Sequence, residues 1–282
     1  MSAGKTLYLS DLDGTLLLPS ERLSDHTKSV LNALIEKGVL FSYATARSFV
    51  TAAKVTAGLF AQFPVIVYYG AFIIDNKTGE ILLYNYFAPD SVREIRGILE
   101  REGISPIVYA FVGGVEKFSS HDAENTEGAR RFLATRKGDK RENLADSADE
   151  LYVGEVFYFT CIDAQERLAP VYQLLKNEHT CICHQDIYTG DHWLEILPKA
   201  ATKASAALAL KAQLGCDKII AFGDGKNDIS MFQAADEAYA VENAVDELKA
   251  VATAVIGANT EDGVVNWLAK HAHTAQEGDD SL

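Results

Sequence analysis

The stretch that decides the fold is Thr6-Leu7-Tyr8-Leu9-Ser10-Asp11-Leu12-Asp13-Gly14-Thr15, a short apolar run that ends in two aspartates one residue apart. The run predicts a β-strand, so Asp11 and Asp13 stand at its carboxyl end, where α/β sheets usually carry their chemistry. Two ionised carboxylates this close repel each other, and a divalent cation or a shared proton would offset the repulsion. Gly14 permits the sharp exit that keeps both in one pocket. A simple Asp-Gly turn would have the same sequence, so both interpretations stay open here.

The strand begins a regular alternation of elements. Apolar spacing and capping residues predict a helix from about 25 to Gly38, a strand at 39–44, a helix at 48–60 and a strand at 64–68. This order is typical of parallel strands joined by helical crossovers. The pattern changes at 71–87, which predicts a hairpin around residues 75–79.

Between about 88 and 188 the pattern is mixed. Helical spacing at 91–102, 124–136 and 164–177 alternates with strand-like runs at 104–118, 151–162 and 180–188. From 189 the first rhythm returns, with helices at 202–214 and 227–235 and strands at 218–222, near 238–241 and near 253–257. The sequence therefore predicts an α/β fold, in which residues 1–86 and 189–282 form a doubly wound, mostly parallel sheet. Residues 87–188 are predicted to form an inserted α+β unit.

Composition narrows the function classes. The 282 residues, 48% hydrophobic and 23% charged, suffice for one large core or for a core with a smaller domain. The formal net charge of −14 argues against a broad nucleic-acid or anionic-membrane surface. Four cysteines fit neither a disulfide scaffold nor a zinc site, and neither a signal peptide nor a run of ~20 apolar residues is recognisable. We expect a cytoplasmic protein without nucleic-acid or membrane partners. Its oligomeric state stays open, a monomer included.

A second acidic segment, Gly223-Asp224-Gly225-Lys226-Asn227-Asp228, follows the predicted strand at 218–222 and leads into a helix. Neither acidic segment has the ligand pattern of an EF-hand, although a structural turn remains an alternative for the second one. Oxygen-only ligation by Asp11, Asp224 and Asp228 suits Mg²⁺, and the absence of histidine from both segments disfavours zinc. A phosphoryl group bound there also needs hydrogen-bond donors and cations besides the metal.

Three residues are candidates for that role. Thr45 ends the strand at 39–44, Arg47 follows it closely, and Lys203 opens the first helix after the insertion. Each alone has an ordinary interpretation, since a Thr at a strand end is usually a cap and a Lys on a helix is usually solvated. Lys199 competes with Lys203 for the cationic role.

Taken together, these segments resemble the haloacid dehalogenase superfamily of phosphotransferases, and in particular its Cof-type sugar-phosphatase-like branch. The motifs that carry the resemblance are, in order, residues 10–17 (SDLDGTLL), 44–47 (ATAR), 194–196 (LEI) with 202–204 (TKA), and 223–231 (GDGKNDISM), followed by 240–244 (AVENA) and 261–264 (EDGV). The resemblance implies a doubly wound core with a large cap inserted between the second and third motifs. The cap would set substrate specificity.

The resemblance also implies a role for each candidate. Asp11 would attack phosphorus and form an aspartyl-phosphate, and Asp13 would act as general acid and base. Thr45 and Lys203 would hold phosphoryl oxygens, with Arg47 as a further phosphate-binding candidate. The metal ligands would be Asp11, Asp224, Asp228 and the backbone carbonyl of Asp13, supported by Asn227 and Gly14.

Two positions depart from the usual motifs of this branch. Ala46 replaces the glycine of the Thr-Gly-Arg motif, a small change that should leave the Thr45 hydroxyl in place. Tyr69 stands where the branch usually has an asparagine close to the active site, so the usual substrate contacts are not carried over.

The sequence therefore predicts a Mg²⁺-dependent phosphatase that hydrolyses a small phosphorylated metabolite, such as a sugar phosphate, through a phosphoaspartate. Two alternatives stay open. One is a phosphotransferase or phosphomutase that uses the same intermediate, and the other is a non-catalytic regulator that binds metal or phosphate.

Overall fold

A computed structural model describes residues 4–60, 62–185 and 189–272. The chain divides into two compact units. The first, the core unit, contains the chain up to Tyr84 and again from Ala201, and the second, the inserted unit, spans Asn85–Ala200. An α/β fold with one inserted unit is therefore confirmed.

The helices and strands of the core unit alternate as the sequence predicts. They are β1 (Thr6–Ser10), α1 (Asp25–Glu36), β2 (Leu40–Tyr43), α2 (Phe49–Val55), β3 (Pro64–Val67), β4 (Phe72–Asp75), β5 (Ile81–Tyr84), and, after the inserted unit, α6 (Lys203–Leu214), β12 (Lys218–Gly223), α7 (Ile229–Ala234), β13 (Glu237–Val241), α8 (Asp246–Lys249), β14 (Ala254–Ile256) and α9 (Gly263–His271). Helix α2 is shorter than the predicted span of 48–60, and it begins after Ser48, whose hydroxyl caps the N–H of Thr51.

The main sheet of the core unit is parallel, with strand order β14-β13-β12-β1-β2. The chain fills it in two directions, from β1 to β2 on one side and from β12 through β13 to β14 on the other. The order reverses between β1 and β12, which is where open α/β sheets bind ligands. A parallel bridge between Ala44 and Ile66 links β2 to β3, and β3-β4-β5 continue as an antiparallel sheet that contains the predicted hairpin.

The inserted unit has one mixed sheet with strand order β10-β11-β9-β6-β7-β8. Its elements are α3 (Pro89–Glu102), β6 (Ile107–Val112), β7 (Val115–Ser120), α4 (Glu127–Ala134), β8 (Glu142–Leu144), β9 (Glu155–Asp163), α5 (Gln165–Leu175), β10 (His179–Gln185) and β11 (His192–Pro198). Buried apolar residues of α3 and α5, such as Leu99 and Val171, join those of β9 and β11 in one hydrophobic cluster. The predicted run at 104–118 is two strands, because Gly113 and Gly114 adopt positive φ and turn the chain.

The predicted domain boundaries, 86/87 and 188/189, need correction. The chain enters the inserted unit after Tyr84 and leaves it after Ala200. The second boundary is later than predicted because β11 pairs with β10 and β9 in the sheet of the inserted unit. His192 is the first residue of β11. Residues 186–188 of the predicted run at 180–188 and the end of the predicted core after 272 lie outside the described residues.

Within the described part of the chain, none of the helices combines the length and the apolar character that crossing a bilayer requires.

Candidate active site

The centre of the site is Asp11, which follows β1 at the point where the strand order reverses. Its backbone N–H donates to the carbonyl of Phe222 in β12 (2.9 Å), which extends the pairing of the two strands by one residue. This pairing brings Asp11 beside Gly223 and Asp224, which end and follow β12. The Asp11 side chain is buried. The two acidic segments found in the sequence therefore meet at one edge of the sheet.

Lys203 joins both acidic segments. It is the first residue of α6, a helix capped by Thr202 and Ser205 in a reciprocal capping box. Its Nζ donates to Asp11 Oδ1 (2.5 Å) and to Asp228 Oδ1 (2.6 Å), and the side chain is buried. The competing candidate Lys199 instead donates to the backbone carbonyl of Asn177 within the inserted unit.

Backbone and side-chain donors hold the other two carboxylates. Asp228 is fully buried, and its Oδ2 accepts the N–H groups of Asp224 (3.1 Å) and Gly225 (3.0 Å). Asp224 Oδ1 accepts the hydroxyl of Thr15 (2.9 Å). One carboxylate oxygen from each of Asp11, Asp224 and Asp228 lies within 4.8 Å of the other two. The predicted trio of metal-binding acids is thus brought together.

Gly14 is required at this site for a steric reason. Its φ is +75°, and a Cβ at this position would lie 2.2 Å from Asp224 Oδ2. Any side chain at residue 14 would therefore displace a carboxylate of the trio. Gly225 is required for a similar reason. A Cβ at this position would lie 2.4 Å from Asn227 Oδ1.

The electrostatics of the trio favour a bound cation. Burial raises the pKa of Asp11 well above its ordinary value, and the charges of Asp228, Asp224 and Asp13 raise it further, while Lys203 acts in the opposite direction. Burial, and then the charge of Asp228, raises the pKa of Asp224 to about 6. Burial alone would lower the pKa of Lys203, but the charges of Asp11 and Asp228 outweigh it and raise that pKa.

One ammonium group therefore faces three crowded carboxylates. The donor atoms are all oxygens, which fits a hard divalent cation such as Mg²⁺, and the negative charge left over is what such a cation would neutralise.

The second motif ends at the same edge of the sheet. Thr45 is buried, its N–H donates to the carbonyl of Ile66 (3.0 Å), and its hydroxyl accepts the N–H of Arg47 (3.1 Å). The Arg47 guanidinium donates to both carboxylate oxygens of Asp13, from Nε to Oδ2 (2.7 Å) and from Nη2 to Oδ1 (2.5 Å). Nη2 also donates to Glu21 Oε2 (2.8 Å). The side chain of Asp13 is 46% exposed, unlike that of Asp11.

Tyr69, the main departure from the family motifs, has a backbone role. Tyr68 and Tyr69 both adopt positive φ (49° and 55°), and the N–H of Tyr69 donates to the carbonyl of Thr45 (3.0 Å). Gly70 follows at φ +105°, where a Cβ would lie 2.2 Å from the carbonyl oxygen of Thr202. This turn therefore fixes the end of the second motif and packs against the residue that precedes Lys203.

The structure shows further residues that support the site and that the sequence analysis does not identify. The Asn243 side chain donates to the carbonyl of Gly14 (2.7 Å) and accepts the N–H of Asn259 (3.0 Å). Asn259, in turn, donates to the carbonyl of Leu17 (2.8 Å). The only sequence signal for this pair is that Asn243 falls within the 240–244 motif. Glu21, bound to Arg47, carried no signal at all.

Comparison with known proteins identifies the family of this chain. The profile of the haloacid dehalogenase-like hydrolase family matches residues 8–268. The chain is 27% identical to the 5-amino-6-(5-phospho-D-ribitylamino)uracil phosphatase YitU of Bacillus subtilis, with 94% of this chain and 97% of that protein covered. It is 25% identical to the HMP-PP phosphatase of Serratia proteamaculans, with 92% of each chain covered.

Solved structures share the fold at lower identity. A haloacid dehalogenase-like hydrolase of Bacteroides thetaiotaomicron superposes with a TM-score of 0.77 at 22% identity, covering 94% of this chain and 98% of the other. The protein TM0651 of Thermotoga maritima gives 0.78 at 23% identity, with 95% and 97% covered. The family match along most of the chain confirms what the ordered motifs predict: this protein belongs to the haloacid dehalogenase-like hydrolases.

Proposed function

We propose that this protein is a cytoplasmic, Mg²⁺-dependent phosphatase that hydrolyses a small phosphorylated metabolite through a phosphoaspartate on Asp11. As a member of a family of phosphoric monoester hydrolases, it is an enzyme of that class. The observation that best supports the mechanism is the contact of one buried ammonium, Lys203, with both Asp11 and Asp228 beside Asp224.

The first half-reaction assigns attack to Asp11. A carboxylate oxygen of Asp11 forms a bond to phosphorus while the bond from phosphorus to the ester oxygen breaks. Asp13 gives a proton to that leaving oxygen, which departs as an alcohol. Lys203, already bound to Asp11, and the Thr45 hydroxyl are the donors we assign to the phosphoryl oxygens.

The second half-reaction restores the enzyme. Asp13, now ionised, takes a proton from a water molecule whose oxygen attacks phosphorus, and the bond between Asp11 and phosphorus breaks to release phosphate. Asp11, Asp224, Asp228 and the backbone carbonyl of Asp13 would hold the metal. When bound, Mg²⁺ would offset the combined negative charge of the carboxylates and the phosphoryl group.

The relatives suggest where to look for a substrate. One is named for 5-amino-6-(5-phospho-D-ribitylamino)uracil and another for HMP-PP, so these two compounds and phosphate esters similar to them are the first candidates. We assign leaving-group selection to the inserted unit, as the family resemblance implies.

The test is a phosphatase screen of the full chain over sugar phosphates, nucleotides and cofactor phosphates, with and without Mg²⁺. We expect release of inorganic phosphate from a restricted group of esters, and only with the metal. Absence of Mg²⁺-stimulated release from the whole panel would contradict the proposal and favour a non-catalytic regulator. Transfer of phosphate to added sugars in preference to water would favour a phosphotransferase instead.

A further inference from the structure

We propose that Glu21 is a positioning residue, which retains Arg47 while Asp13 turns from Arg47 toward the leaving oxygen. The inference rests on the proposed function, because it concerns the acid that serves the leaving group. Its basis is the sharing of one guanidinium between two carboxylates at this edge of the core unit.

The conformation of Asp13 is the first step. Each of its carboxylate oxygens accepts a hydrogen bond from Arg47, at 2.7 and 2.5 Å. A general acid must present a protonated oxygen to the leaving group. Asp13 therefore has to release at least one bond to Arg47 before it can serve.

Arg47 needs another partner once Asp13 has turned away. The Arg47 side chain is only 20% exposed, and a guanidinium in such a place is costly to leave unpaired. Glu21 Oε2 already accepts from Nη2, the same nitrogen that binds Asp13 Oδ1. When Asp13 turns away, Arg47 keeps Glu21 as its carboxylate partner at 2.8 Å. The guanidinium therefore stays in place and does not move with Asp13.

The backbone around Glu21 holds its carboxylate in place. This matters because an ordinary surface ion pair, whose side chains are free to move, contributes little. Glu21 adopts φ +55°, a strained conformation for a non-glycine residue that persists only where the surroundings impose it. Its N–H donates to the carbonyl of Leu18 (2.9 Å), whose own N–H donates to the carbonyl of Arg22 (2.9 Å). Leu17 and Leu23 on either side are buried. The carboxylate is thus carried by a fixed turn.

The kinetic test is Glu21→Gln, measured as kcat/KM on an alkyl phosphate and on p-nitrophenyl phosphate. This constant reports the steps through departure of the leaving group, and nitrophenolate departs without an acid. We expect the alkyl ester to lose about tenfold and the aryl ester to change by less than about twofold. Glu36→Gln, an exposed glutamate at the end of α1, is the matched control and should leave both constants unchanged.

Two kinetic outcomes would overturn the inference. One is an unchanged constant for the alkyl ester, and the other is an equal loss for both esters. In an Arg47→Ala background, Glu21→Gln should have no further effect, since Glu21 acts through Arg47. An additional loss in that background would also contradict the assignment.

A structural readout is independent of turnover. In a crystal of the wild-type protein with Mg²⁺ and vanadate, a mimic of the phosphoryl group, we expect Arg47 on Glu21 alone and Asp13 directed at a vanadate oxygen. Arg47 still bound to both oxygens of Asp13 would overturn the inference while leaving the phosphatase proposal intact. Failure of vanadate to bind, together with an inactive wild type, would count against both.

Discussion

At the scale of single residues, the site depends on which carboxylate is buried and which is exposed. Asp11 is buried against Lys203, whereas Asp13 is half-exposed and bound to Arg47. A buried carboxylate held by an ammonium is fixed in position, as the proposed nucleophile requires, and a more exposed one can change conformation, as the proposed proton carrier requires. Two aspartates that are separated by a single residue thus provide two chemically different groups.

The nucleophile assignment predicts the effect of Asp11→Asn. The amide can still accept from Lys203 and the backbone bond to Phe222 is unaffected, so the fold should be retained. Turnover should fall at least about a thousandfold, because the amide does not attack phosphorus. Circular dichroism and phosphate release measure the two effects. Asp25→Asn, at an almost fully exposed carboxylate on α1, should behave as wild type. Retained phosphate release in Asp11→Asn would rule out the nucleophile role.

Gly14→Ala tests the steric basis of the metal site. Alanine at φ +75° carries a backbone cost of about 1 kcal/mol, and its Cβ would also collide with Asp224. Gly38→Ala is the matched control, because φ is +89° there and nothing lies within 4 Å of the added Cβ. Both variants should lose comparable stability in denaturant unfolding. Only Gly14→Ala should lose Mg²⁺ affinity by calorimetry, and equal affinities in the two variants would contradict the prediction.

At the scale of elements, the turn Tyr68–Gly70 links the second motif to the start of α6. It binds the carbonyl of Thr45 on one side and packs on the backbone of Thr202 on the other. The position of Lys203 therefore depends on a turn distant from it in sequence.

Gly70→Ala is predicted to move the start of α6. The added Cβ would lie 2.2 Å from the carbonyl oxygen of Thr202, so the helix must shift and carry Lys203 with it. We expect the free energy of unfolding to fall by more than about 2 kcal/mol, with a loss of activity as well. Gly79→Ala has similar backbone strain (φ +75°) but its nearest neighbour is at 3.8 Å. Equal effects of the two substitutions in urea unfolding would show that the contact with Thr202 is unimportant.

The sequence predicted elements well where the pattern was local. Alternating strands and helices identified the parallel sheet, since each apolar run was bounded by caps and glycines. The predicted boundary at 188/189 puts residues 192–198 in the core unit, but they form β11, which pairs with β9 and β10 in the sheet of the inserted unit. Pairing between strands that are distant in the sequence leaves no local signal. Periodicity does not say which sheet a strand joins.

The candidate site shows the same division. Strand ends and motif spacing predict that Asp11, Asp224 and Lys203 lie close together, and in the structure they do. The contacts of Asn243 and Glu21 were not predictable, because an amide or a carboxylate in a loop has no periodic signal. Only the folded structure shows which polar group such a side chain contacts.

At the scale of the whole molecule, we expect the crowded carboxylates of the site to lower the stability of the fold that carries them. Three carboxylates crowd around one ammonium, so we expect electrostatic repulsion in the metal-free protein that a bound cation would offset. Strain of this kind is common where function and stability compete.

Asp224→Asn should therefore raise the melting temperature of the metal-free protein, because it removes one of the repelling charges. Mg²⁺ should raise the melting temperature of the wild type, by an amount corresponding to about 2.7 kcal/mol at a hundred times its Kd, and should leave the variant almost unchanged. Differential scanning calorimetry with and without Mg²⁺ measures both shifts. A variant that melts lower than wild type without metal, or that responds equally to Mg²⁺, would contradict this prediction.

Trapping the proposed phosphoenzyme shows whether Asp11 carries the phosphoryl group. The Asp13→Ala variant should form the phosphoenzyme from an aryl phosphate but hydrolyse it slowly, because its base is missing. After incubation with a radiolabelled aryl phosphate and an acid quench, we predict label on the peptide that contains Asp11. Product release without label on that peptide, or label on a different residue, would contradict the claim.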